Sequence, residues 1–122
     1  MSTRSNIYLK LKDESKGKTI KFDITKLPQG TRGDGINYPI KDVKIPKKAK
    51  YMGIYHHWDG YISGGLGETL QTHYKDYDTI LNLLMMGDIS TINNGVECYQ
   101  GWRNEDCPAV FFGKTMKIKR WD

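Results

Sequence analysis

The chain has 122 residues, 38% of them apolar and 27% charged, with a formal net charge of +5. That length supplies one domain with an ordinary core, residues 1–122, and too little chain for two. Its two cysteines, Cys98 and Cys107, exclude a disulfide framework and match neither a C-x-x-C redox motif nor half of a usual zinc site.

Charge is unevenly placed. Residues 1–50 carry 13 Lys/Arg against 5 Asp/Glu, a balance of +8, whereas residues 51–122 carry 6 against 9, a balance of −3. A positive half of this kind attracts phosphate-bearing partners such as nucleotides, RNA or DNA, and equally keeps a chain soluble. The longest apolar run, Ile80 to Met86, is interrupted by Asn82 and is too short to span a bilayer, and no apolar signal core follows the N-terminus. The expectation is a reduced cytoplasmic protein with no membrane partner.

In chain order, Ser5 to Lys12 alternates Ile7, Leu9 and Leu11 with Tyr8, Lys10 and Lys12, which predicts a strand with a lysine-bearing outer face. Thr19 to Ile24 alternates again, so the two strands are expected to form a hairpin. From Thr25 to Lys50, Pro28, Gly30, Gly33, Gly35, Pro39 and Pro46 punctuate a segment that reads as a long loop. Within it, Arg32 beside several glycines could meet a phosphate, although the spacing is not that of a P-loop.

Tyr51 to Tyr61 is the richest stretch. As a strand it sets Met52, Ile54, His56 and Trp58 on a core-like face and Tyr51, Tyr55, His57 and Asp59 on a polar, aromatic one. Leu66 to Lys75 fits a short helix, and Tyr77 to Met86 a second one, capped by Asp76 and stopped by Gly87. Asp88 to Asn94 reads as a turn, Val96 to Gln100 as a short strand, Gly101 to Pro108 as a polar loop, and Ala109 to Arg120 as strand-like sequence. Together these predict an α+β domain: an antiparallel sheet of about five strands with two short helices packed on one face.

Three kinds of chemistry compete for the polar residues. His56, His57, His73, Cys98 and Cys107 can all bind zinc, but adjacent strand histidines point to opposite faces and no ligand pair has an established spacing, so no metal or other cofactor is expected. A small nucleotide-processing enzyme would use His57 as base, Asp59 or Glu68 as its partner, and Cys98 or Ser63 as nucleophile. No nucleophile elbow or metalloprotease helix supports that assignment. Binding asks for less: Tyr61, Tyr99 and Trp102 could stack on a base, while Arg32, Arg103 and the N-terminal lysines could meet phosphates. Trp58 shares its strand face with Met52 and Ile54 and is assigned to the core. The candidate contacts are therefore Arg32, Tyr55, His57, Asp59, Trp102 and Arg103.

Four stretches, Ser2-Thr-Arg-Ser-Asn-Ile7, Ile54-Tyr-His-His-Trp-Asp-Gly-Tyr61, Thr72-His-Tyr74 and Leu83 to Ser90, cover about half the chain. In them the sequence resembles a family of small bacteriophage and prophage proteins that open Ser-Thr-Arg-Ser-Asn-Ile and carry His-Trp-Asp-Gly-Tyr. It departs from that pattern in a basic, loop-rich insertion at about residues 15–48, and in Met86, where the family has leucine or another aliphatic residue. The family has no settled activity and makes no residue catalytic. The resemblance implies an accessory protein of the host bacterial cytoplasm acting by stoichiometric binding in counter-defence. It would sequester a nucleotide immune signal or inhibit a nucleic-acid-handling host defence protein, such as a CRISPR effector. The basic half is the wrong sign for a DNA mimic. A plain interaction module docking through the inserted arm, with or without homo-oligomerisation, is the remaining alternative.

Overall fold

The structure, a computed structural model, describes residues 4–31, 40–57, 65–92, 95–99 and 104–113. Its order is β1 (Ser5–Lys10), β2 (Thr19–Ile20), β3 (Val43–Lys44), β4 (Tyr51–His56), α1 (Leu66–His73), α2 (Tyr77–Met85), β5 (Ile89–Thr91), β6 (Glu97–Cys98) and β7 (Val110–Phe112). This is an α+β fold in which two helices accompany a mostly antiparallel, mixed sheet of five strands.

Strand β4 is central. β1 runs antiparallel along one edge of it, from Ser5 opposite His56 to Lys10 opposite Tyr51. The other edge is shared: β7 pairs antiparallel with Tyr51, Met52 and Gly53, and β5 pairs parallel at His56, with β6 beyond it. The alternation read from the sequence sets one face of this sheet. Ile7, Leu9, Met52, Ile54 and Ile89 are buried there together with Leu81, Leu84 and Met85 of α2, and Leu66 of α1 joins the same core. Each such side chain contributes about 1.5–3 kcal/mol on leaving water.

The predicted hairpin between the first two strands does not form. β1 takes β4 as its partner, while β2 pairs with β3 in a separate two-stranded sheet, Thr19 opposite Lys44 and Ile20 opposite Val43. Local hydrogen bonding ends β2 early: the Asp23 carboxylate accepts from the Thr25 amide at 3.0 Å and its hydroxyl at 2.6 Å, starting a 3-10 turn at Ile24–Lys26. Side chains of this type compete with ladder bonds for the backbone.

The stretch read as a turn after α2 is also different, because Ile89–Thr91 is a buried strand. Gly87, at φ +80°, stops α2 as expected. The buried Asp88 side chain then accepts the Tyr55 amide at 3.0 Å, and the Asp88 carbonyl accepts the Tyr99 amide at 3.1 Å. One residue thus pins the strands around it. Ser90 and Thr91 disguise this strand in the sequence, since polar residues break its apolar period. Asp76 stands at the N-cap of α2 without a side-chain cap bond; its carbonyl accepts from the Thr79 hydroxyl at 2.7 Å.

Candidate anion-binding groove

Where β1 and β4 end, the chain closes an open cleft of about 690 Å³ whose lining includes Lys10, Lys12, Lys16, Lys50, Tyr51 and Tyr77. A volume of that order suits a small ligand. The convergence follows from pairing. Lys10 lies opposite Tyr51, and the Leu11 amide donates to the Lys50 carbonyl at 2.9 Å, so lysines distant in sequence line one cleft at the end of the sheet. A 3-10 turn at Asp13–Ser15 then folds the chain back and brings Lys16 to the rim.

Tyr77, the first residue of α2, locks this corner. Its hydroxyl accepts from the Lys12 amide at 3.1 Å and bonds the Ser15 hydroxyl at 2.9 Å, while the Lys12 Nζ sits 4.6 Å from its ring centroid. A cation over a tyrosine face at an exposed site gains about 0.5–1 kcal/mol. Asp13 is the acidic residue of the described lining, and it holds Lys16 at 3.0 Å. The remaining balance is positive, and an exposed charge pair in water is worth only about 1 kcal/mol at contact distance. Useful affinity for an anion therefore needs several ammonium groups acting together, and four lysines line this corner, Lys12 over the Tyr77 ring and Lys16 against Asp13.

Tyr51 continues from the groove onto the sheet face opposite the core. There the Tyr51 and Phe112 rings lie 6.3 Å apart and nearly parallel, at 21°, and Phe112 meets Tyr8 edge to face at 5.8 Å and 80°. All three rings are half-buried. Beyond Phe112 lies a smaller cleft of about 210 Å³, lined in part by Lys48, Ala49 and Gly113.

Further along β4, the adjacent histidines diverge as expected. His56 is buried, with its Nδ1 3.2 Å from the Ser5 hydroxyl, while His57 Nδ1 lies 2.7 Å from the Tyr55 hydroxyl. Tyr99 packs against both partners, 5.2 Å from the Tyr55 ring and 4.9 Å from the His57 ring. Tyr55 is only 3% exposed. Burial pushes its phenol above the ordinary tyrosine range, the Arg4 charge opposes that rise, and Tyr99 and Asp88 add to it. Its proton is thereby retained.

Of the six residues singled out in the sequence, Tyr55 and His57 are brought together, whereas Arg32, Asp59, Trp102 and Arg103 lie outside the described residues, as does Trp58. The groove lysines and Tyr77 were not among them; the lysine-bearing face of the first strand signalled Lys10 and Lys12, whereas nothing in the sequence pattern joined Lys16, Lys50 or Tyr77 to them. Among the described residues no cluster of three or more His, Cys, Asp or Glu side chains could hold a metal ion, and no helix is long and apolar enough to cross a membrane. No family model, curated protein or solved structure matches the chain.

Proposed function

We propose that the protein acts by stoichiometric binding of a phosphate-bearing partner in the groove between β1, β4 and the start of α2. The observation that carries this reading is the convergence of Lys10, Lys12, Lys16 and Lys50 beside Tyr51 and Tyr77, against the single carboxylate of Asp13 in the described lining. Lysine supplies a mobile point charge for phosphate, and the tyrosines supply flat apolar walls. The sequence resemblance supports a setting for this activity: a phage-encoded accessory factor in the host cytoplasm that counters defence by occupying a nucleotide signal or a nucleic-acid-handling defence protein.

The competing enzyme reading draws on His57, whose ring is oriented by Tyr55. With Nδ1 engaged by Tyr55, His57 has Nε2 left for a ligand, as donor in one tautomer and as acceptor in the other.

Native mass spectrometry tests the proposal, using protein purified from cells and then supplied with ATP or inorganic tripolyphosphate. The expected result is one anion per chain, with retention largely lost in the double variant Lys10→Glu/Lys50→Glu, whose two sites are exposed. Equal retention by that variant, or none by the wild type, overturns the reading. Turnover of ATP lost on His57→Ala, with the fold intact, would establish the enzyme instead.

A further inference from the structure

We infer that the partner taken by this groove is a single-stranded nucleic acid whose bases stack on the Tyr51–Phe112 row; the inference rests on the anion-binding reading above. The two rings lie 6.3 Å apart and nearly parallel, on adjacent strands, and both are half-buried. Positive charge flanks the row at both ends. Lys10 and Lys50 stand in the groove beside Tyr51, and Lys48 lines the smaller cleft beside Phe112. This alternation of charge, ring, ring and charge matches a strand that offers phosphates and bases in turn.

The arrangement discriminates among phosphate-bearing ligands. A mononucleotide could fill the groove through Tyr51 and Tyr77 but would leave Phe112 and Lys48 untouched. A duplex presents phosphates while its base faces stay stacked inside the helix, so the aromatic row would gain nothing from it. Unstacked bases, in contrast, find partners on the accessible part of aromatic rings, and a sheet face is a common platform for them. Tyr51 joins the two halves of the surface, being both a groove wall and one end of the row.

Fluorescence anisotropy with labelled uridine-rich RNA and thymidine-rich DNA of about 12 nucleotides tests this, with duplexes of equal length and with polyglutamate and tripolyphosphate as competitors. Single strands should bind at least about tenfold tighter than duplex, and the RNA and DNA arms report which sugar is preferred. Affinity should fall with salt at a logarithmic slope of about −0.7 per phosphate engaged. Lys10→Glu/Lys50→Glu should weaken oligonucleotide and tripolyphosphate alike, whereas Phe112→Ala should weaken the oligonucleotide by at least about fivefold more than tripolyphosphate, the loss of one stacked base. Because Phe112 supports the sheet, ultraviolet cross-linking of the wild-type complex supplies an independent readout, with adducts expected on peptides containing Tyr51 or Phe112.

Duplex bound as tightly as single strand, cross-links confined to other regions, or polyglutamate competing as well as oligonucleotide would overturn the inference. Tripolyphosphate binding without any preference for oligonucleotide would overturn it while leaving the anion groove standing. Failure of every anion would remove both.

Discussion

Tyr8 and Phe112 belong to strands on opposite sides of β4, yet their rings meet edge to face at 5.8 Å. Gly53 pairs with Tyr8 on one side and Val110 on the other, so a side chain at this position would stand on the sheet face that carries both rings. A glycine inside a strand often marks such a close approach. Gly53→Leu should drive the two rings apart and destabilise the fold by about 1–3 kcal/mol, the usual penalty of overpacking. Urea denaturation measures the loss, and a variant as stable as the wild type would contradict this account of the row.

Tyr74 offers an opposite change. It is 2% exposed, and its buried hydroxyl has no hydrogen-bond partner among the described residues. An orphaned polar group of this kind costs about 1–3 kcal/mol, so Tyr74→Phe should stabilise the protein by about 1 kcal/mol at neutral pH.

The same residue sets an alkaline limit. Burial raises the Tyr74 phenol from 10.0 to about 12, so between those values the native state holds a proton that the unfolded chain releases. Stability must therefore fall as pH rises through that window, and Tyr74→Phe should flatten the decline. Thermal unfolding of both proteins from neutral to alkaline pH provides the comparison; parallel alkaline limbs would refute the assignment.

Two glycines with similar φ should respond differently to alanine. Gly87, at φ +80°, would set a Cβ against the Cys107 carbonyl oxygen, whereas Gly30, at φ +69°, has nothing within 4 Å of that position. Gly30→Ala should cost only the left-handed strain, about 1 kcal/mol. Gly87→Ala adds a clash with backbone that cannot swing away, and should cost clearly more. Equal midpoints in urea would show that the turn after α2 is not held as described.

Local pattern made much of this fold legible. The period-two alternation in Met52, Ile54 and His56 correctly named the core face of β4, and the starts of both helices and the stop at Gly87 were readable from apolar spacing and turn chemistry. Partner choice was not readable. β1 and β4 are separated by a long, glycine- and proline-rich segment, and nothing in either strand says that they pair with one another rather than with a sequence neighbour. The groove was hidden for the same reason. Lys10 and Lys50 line one cleft only because Lys10 pairs with Tyr51, and Tyr77 arrives from a helix. The basic half of the chain announced a charge without an address. His57 and Tyr55 were legible as a pair because two residues along one strand share a face.

The most direct measurement is an amide-resolved NMR titration of the protein with inorganic tripolyphosphate, which carries charge but no base. Saturable shifts are expected at Lys10, Leu11, Lys12, Lys16, Lys50, Tyr51 and Tyr77, and their loss in Lys10→Glu/Lys50→Glu. Shifts centred on His57 and Tyr99, or scattered over every lysine without saturation, would contradict it.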